Sequence, residues 1–271
     1  MPVTPNRPRP PPAGTPSRGP VRTLAGPPRR LRSNRVVGHG AHTAPKHGPV
    51  WLFDLDNTLH DTSHAIFPQI DRHMTLAVQS MLQVDEAQAN TLRERYWRRY
   101  GATMIGMVRH HGVDAREFLA RSHGFDIPPL IRAERDLPRL LARLPGRRIL
   151  LTNAPLCYAT TVLRHLGILH LFDSLWGIEE MQLHGEFRPK PSRSMLRHVL
   201  AREGVEAHRA ILIEDTLNNL RAARAIGMGT VYIHHPHTPF GGRHYRRPGY
   251  VDLRINNLRQ LLLHASARFL V

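Results

Sequence analysis

The sequence predicts an α/β protein built on a doubly wound, mostly parallel sheet, with a helical segment inserted after the first strand. Three observations predict this. Four short runs are apolar on both faces, as buried parallel strands are: Val50-Trp51-Leu52-Phe53, Arg148-Ile149-Leu150-Leu151, Ala210-Ile211-Leu212-Ile213 and Thr230-Val231-Tyr232-Ile233. Helical stretches at 156–166, 192–203 and 216–226 lie between them, each followed by a glycine (Gly167, Gly204, Gly227) that suits a helix C-terminus. A segment of about 75 residues with helical periodicity separates the first run from the second.

Residues 1–48 form a tail. The first 49 residues hold eight Arg, one Lys, no acid and 12 of the 23 prolines. They carry nine of the seventeen net positive charges and have no aromatic residue and no periodicity. Such a stretch cannot bury enough apolar surface to offset its ordering entropy, so disorder is expected. Two readings remain, a solvated extension or an arm for nucleic acid or another anionic surface, and the first is favoured. The eight remaining charges suit an anionic substrate without identifying it.

The core is expected at 49–60 and 136–271, with residues 61–135 as a cap. Within the cap, Ile66, Ile70, Met74, Ala77 and Met81 recur at helical spacing. Asp85 precedes a second helix carrying Leu92 and Tyr96, and Asp114-x-x-Glu117 fits a capping box. No apolar run approaches the roughly 20 residues of a membrane helix, and no apolar h-region marks a secretory signal. The single cysteine, Cys157, excludes an internal disulfide and is expected to pack in the helix after Thr152. A cytoplasmic location is the expectation.

Chemistry concentrates where each strand ends, which is where ligands bind in open α/β sheets. After the first strand comes Asp54-Leu55-Asp56-Asn57-Thr58. One of these acids can attack phosphorus as a carboxylate nucleophile, and the other can protonate a leaving oxygen and then activate water. Thr152-Asn153 can bind phosphate oxygens through a hydroxyl and a backbone N–H. Lys190, flanked by Pro189 and Pro191, places a cation on the phosphate and the nucleophile. Glu214-Asp215 adds two more carboxylates. At about 4 Å and an effective dielectric near 20, each like-charged pair costs roughly 4 kcal/mol. A divalent cation relieves this, and an all-oxygen donor set favours Mg2+.

Taken together, these residues resemble the haloacid dehalogenase-like superfamily. Its four motifs occur in order as Phe53-Asp54-Leu55-Asp56-Asn57-Thr58-Leu59, Leu151-Thr152-Asn153, Lys190-Pro191 and Ile213-Glu214-Asp215-Thr216. The resemblance covers roughly residues 49–264 and implies a Rossmann-like core with a helical C1 cap. It implies that Asp54 is the nucleophile, that Asp56 is the acid/base, and that Thr152 and Lys190 hold phosphate. It also implies that Asp54, the Asp56 carbonyl and Asp215 contact Mg2+, with Glu214 in or beside its shell. Dehalogenases of this superfamily lack the second acid, which is present here. Phosphonatases need a cap lysine, and residues 61–135 contain none.

A finer resemblance, to bacterial pyrimidine 5′-nucleotidases, rests on Leu59-His60, Ile66-Phe67-Pro68-Gln69-Ile70, the stretch Tyr96 to Thr103, and Arg109-His110-His111-Gly112. It implies a small phosphorylated metabolite as partner, in particular a nucleoside monophosphate. Candidates for reading the base are Phe67, Tyr96 and Tyr100 as apolar faces and Arg95, Arg99 and His111 as donors. Alternatives are a sugar-phosphate phosphatase, a phosphomutase, or a binding factor that uses the basic tail. Other features have plainer readings: Tyr96 and Tyr100 as helix packing, His110-His111 as a polar loop, Trp51 and Trp176 as core. The histidines at 234, 235 and 237 and the basic stretch Arg243 to Arg247 read as solvated loops.

Overall fold

The structure, a computed structural model, describes residues 48–234 and 248–269, with side chains as far as His264. The basic tail, His235, His237 and Arg243 to Arg247 therefore lie outside the described residues.

Strand β1 (Val50–Phe53) runs at the centre of a six-stranded parallel sheet. Its side chains alternate across the sheet, as the two-residue period of a strand requires. Trp51 and Phe53 enter one apolar layer, and Val50 and Leu52 enter the other. Because both layers are covered, all four residues are buried. Each such Leu, Val or Phe contributes roughly 1.5–3 kcal/mol through burial.

Four helices follow β1: α1 (Ile66–Leu82), α2 (Glu86–Tyr100), α3 (Thr103–His111) and α4 (Ala115–Ser122). They bury a small core of their own around Ala77, Val78, Ala89, Tyr96, Met104 and Phe118. A capping box starts α2, with Asp85 accepting from the Gln88 N–H and Gln88 accepting from the Asp85 N–H. At α4 only half of the expected box forms. Asp114 accepts from the Glu117 N–H, but the Glu117 carboxylate pairs with Arg121. Helices α2 and α3 cross at Gly106, where any Cβ would collide with the Tyr96 ring.

The chain then forms α5 (Leu137–Ala142), β2 (Arg147–Leu151), α6 (Leu156–His165) and β3 (Ser174–Trp176). A two-residue hairpin, β4 (Gln182–Leu183) and β5 (Glu186–Phe187), precedes α7 (Arg193–Glu203). Next come β6 (Ala210–Glu214), α8 (Leu217–Arg224), β7 (Gly229–Ile233), β8 (Leu253–Ile255) and α9 (Leu258–Phe269). The sheet order is β3-β2-β1-β6-β7-β8. Helices α5, α6 and α9 pack on the Trp51 face, and α7 and α8 on the Leu52 face.

Strand order reverses at β1: β2 and β3 build outward on one side, and β6, β7 and β8 on the other. Phe53 pairs with both Leu150 and Ile213, so the carboxyl ends of three strands open side by side. That reversal leaves a crevice at their ends. The cap docks over it, with Ile178 from the β3–β4 connection reaching into the cap's apolar cluster. Arg109 of α3 also pairs with Glu186 of β5 at 3.2 Å.

Two residues fall outside the core expected for them. Cys157 is exposed on α6 rather than packed. Trp176 is only partly buried, on edge strand β3, where its indole N–H donates to Glu203. Trp51 is fully buried.

Candidate active site

Asp54 is the first residue beyond β1, and its N–H continues the ladder by donating to the Ile213 carbonyl at 3.0 Å. That bond fixes the residue against the end of β6, where Glu214 is the last residue of the strand and Asp215 leaves the sheet. Carboxylate oxygens of Asp54, Glu214 and Asp215 lie within 4.8 Å of one another, and all three residues are buried. Lys190 reaches across from the loop before α7, with Nζ 2.7 Å from Asp54 Oδ1 and 2.8 Å from Glu214 Oε2. The Lys190–Pro191 peptide is cis.

One buried ammonium against three buried carboxylates leaves excess negative charge, and the titration of the group reflects it. Burial and the neighbouring Glu214 push Asp54 up to about 7, against the opposing pull of Lys190. Burial, Glu214 and Asp54 push Asp215 up to about 9. Burial alone would lower Lys190, but the two carboxylates outweigh it and hold the ammonium above its usual value. A hard divalent cation fits this set, because the donors are all oxygen, they converge, and their charge is uncompensated.

The loop after β2 completes the floor. Thr152 is buried, its N–H bonded to the Trp176 carbonyl, and its hydroxyl accepts from the Ala154 N–H at 3.0 Å. Asn153 uses its side chain on the Lys190 backbone, accepting from the N–H at 2.9 Å and donating to the carbonyl at 3.1 Å. The structure thus brings Asp54, Thr152, Asn153, Lys190, Glu214 and Asp215 to one place. The Asp56 side chain stands apart from the carboxylate cluster. Its Oδ1 accepts from Tyr158, Thr62 and His60. Burial would raise this acid, but the bonds and charge of His60, with those of Tyr158 and Thr62, hold it below the usual carboxylate value.

Above the floor, a cleft of about 840 Å3 runs from these residues up to the cap. Of the cap residues singled out in the sequence, Phe67 lines it. Arg95, Tyr96, Arg99, Tyr100 and His111 do not. Tyr96 is buried in the cap core, where its hydroxyl bonds His111, while Tyr100 bonds His110. Arg95 and Arg99 lie along a different, open groove on α2. The cause is helical phase. Ala89, Leu92 and Tyr96 point into the cap interior, so the flank facing the cleft carries Asn90, Arg93 and Trp97. Trp97, one position beyond Tyr96, is the aromatic of α2 that lines the cleft.

Trp97 stands half exposed in the cleft, beside Met74, Phe118 and His123. Burial pushes His123 down to about 4, so it is neutral near pH 7. Arg93 pairs with Asp71 and donates to Asn90 and Thr75. Its Nε is buried with no hydrogen-bond partner among the described residues. Tyr158, His60 and Thr62 were also missed.

A family model described as haloacid dehalogenase-like hydrolase matches residues 50–227. Phosphate metabolism protein 8 of Saccharomyces cerevisiae is 25% identical over 67% of this chain. The match spans 60% of the yeast protein's own length. A phosphoglycolate phosphatase of Yersinia pseudotuberculosis is 27% identical over 65% of this chain and 76% of its own. A 5′-nucleotidase of Pseudomonas aeruginosa is 28% identical over 68% of this chain and 81% of its own. Among solved structures, CbbY from Rhodobacter sphaeroides in complex with phosphate superposes with a TM-score of 0.54 at 22% identity, over 79% of this chain and 96% of that one. Among the described residues, no helix is long and apolar enough to cross a membrane.

Proposed function

The chain belongs to the haloacid dehalogenase-like hydrolase family, and on that premise we propose that it is a phosphatase that hydrolyses phosphate monoesters through an aspartyl-phosphate on Asp54. The observation that carries this reading is the Asp54 carboxylate at the foot of the cleft, 2.7 Å from Lys190 Nζ, with a second acid two residues on. Asp54 attacks phosphorus while Lys190 and Thr152 hold the phosphoryl oxygens. Asp56 gives its proton to the leaving oxygen, then takes one from the water that attacks phospho-Asp54 and releases phosphate. Asp54, Glu214, Asp215 and the Asp56 carbonyl would hold Mg2+, whose chemistry is to neutralise charge on the transferring phosphoryl group.

The substrate reading is a nucleoside 5′-monophosphate, with a pyrimidine base preferred. Phe67, Met74, Trp97 and Phe118 give the cleft an apolar and partly aromatic wall that suits a planar base. The name of the Pseudomonas relative agrees with it. The competing reading is phosphoglycolate or a sugar phosphate, favoured by the Yersinia relative's name. A two-carbon carboxylate would leave most of a cleft of about 840 Å3 unfilled. It would also meet an Arg93 already paired with Asp71. Specificity constants for UMP, CMP, dTMP, AMP, GMP and phosphoglycolate separate the readings. A pyrimidine nucleotide is expected to lead each of the others by about tenfold or more, the scale of one good interaction. Phosphoglycolate in the lead would overturn the nucleotide reading and leave the phosphatase standing.

A further inference from the structure

Asp56 is gripped by one of its two carboxylate oxygens. Oδ1 accepts from the Tyr158 hydroxyl at 2.7 Å, from the Thr62 hydroxyl at 2.9 Å and from His60 Nε2 at 3.2 Å. Among the described residues, no hydrogen bond reaches Oδ2. Asp56 itself lines the cleft.

The three donors are not equivalent. Thr62 and His60 belong to the same loop as Asp56, six and four residues on. Tyr158 arrives from α6, 102 residues along the chain, and its ring is buried in the apolar layer against the sheet. It is the one donor of the three fixed to a rigid element. The His60 ring sits beside it, with Nε2 3.3 Å from the Tyr158 hydroxyl and Nδ1 lacking a partner among the described residues. His60 therefore gains no outside anchor and depends on the same cluster for its orientation.

We propose that Tyr158 is a positioning residue for Asp56: it pins Oδ1 to the core and so presents Oδ2 to the leaving-group oxygen. This rests on the proposed reading of Asp56 as acid and base. In the first step the Asp54–phosphorus bond forms, the ester P–O bond breaks, and the proton on Asp56 Oδ2 moves to the departing oxygen. In the second, water gives its proton to Oδ2 as it attacks phosphorus, and the phospho-Asp54 bond breaks. The Tyr158 hydroxyl keeps its own proton in both. Its contribution to the first step is geometric, because a freely turning carboxylate is seldom aligned for proton transfer, and its bond also favours the ionised Asp56 that receives the proton of water in the second.

The test is Tyr158→Phe, which removes the hydroxyl and keeps the ring. The readout is kcat/KM over a series of phosphate monoesters running from p-nitrophenyl phosphate to phenyl phosphate to an alkyl phosphate, with Mg2+. A nitrophenolate departs with little help, whereas an alkoxide needs a proton as it leaves. The variant is expected to lose about 10- to 100-fold on the alkyl ester but no more than about threefold on the nitrophenyl ester, steepening the dependence on leaving-group basicity. Equal loss across the series, or no loss on the alkyl ester, overturns the proposal. A wild-type protein that turns over none of the esters overturns the reading beneath it instead. A wild type active on all of them, with an unsteepened variant, overturns the role of Tyr158 alone.

Discussion

Asn153 and Lys190 hold each other by two hydrogen bonds, the Lys190 N–H to Asn153 Oδ1 at 2.9 Å and Asn153 Nδ2 to the Lys190 carbonyl at 3.1 Å. The bonds join the loop after β2 to the loop before α7, and they fix the backbone from which the lysine side chain reaches Asp54. On the proposed reading, Asn153 acts on the phosphate site through Lys190 as well as from its own place on the loop. Asn153→Ala leaves that backbone unpinned. It is expected to lower kcat by about 10- to 100-fold, the scale of a small misplacement of a reacting group. Stability should fall only as far as one or two lost hydrogen bonds dictate, about 0.5–3 kcal/mol. Steady-state kinetics on p-nitrophenyl phosphate beside a thermal melt check it, and unchanged kcat would contradict it.

The acid cluster predicts how cation binding depends on pH. Asp54 and Asp215 have folded-state values near 7 and 9, raised from 3.8. A raised carboxylate means that the folded protein binds more protons than the unfolded one between about 4 and 9, so the metal-free protein loses stability as pH rises through that window. At the proposed cation site Mg2+ would compete with those protons and restore what was lost. The rise in melting temperature on adding Mg2+ is therefore expected to be larger at pH 8.5 than at pH 6. At about a hundred times its dissociation constant it should reach roughly 5–10 °C at the higher pH. An equal or larger rise at pH 6 would count against the site.

Trp97 and Tyr96 are neighbours with opposite expected phenotypes. Trp97→Ala removes an aromatic face from the cleft and should lower kcat/KM for UMP by about 5- to 150-fold while sparing p-nitrophenyl phosphate. Tyr96→Ala empties a buried position and should cost about 3–5 kcal/mol of stability with less effect on selectivity. Kinetics on both esters with melts of both variants decide it. Selectivity lost in Tyr96→Ala and kept in Trp97→Ala would reverse the assignment.

The difference between those two residues marks what the sequence reveals. Asp54, Thr152 and Asp215 were legible because each directly follows a strand buried on both faces, and such strands announce themselves as largely apolar runs. Lys190 was legible from the prolines around it. Strands β3 and β8 were not, because three-residue edge strands are only partly buried and lack that run. In the cap, Leu92 and Tyr96 were readable as one helix stripe, but the flank facing the cleft depends on how the cap docks. That docking is set by contacts such as Ile178 with the cap cluster, far apart in sequence. Tyr158 escaped for a similar reason: its hydroxyl serves an acid 102 residues away, and nothing local signals that.

The central claim is covalent chemistry at Asp54. Asp54→Asn should reduce turnover by a thousandfold or more, on the order of losing a nucleophile altogether. Asp56→Asn should still accept phosphate from a good leaving group but fail to activate water, so the phosphoenzyme should persist. The most direct measurement is acid quenching of Asp56→Asn during turnover of p-nitrophenyl phosphate with Mg2+, followed by peptide mass spectrometry. Phosphate on the peptide carrying Asp54, absent from the Asp54→Asn, Asp56→Asn double variant, is the expected result. Full activity in Asp54→Asn, or phosphate on another residue, would contradict the account.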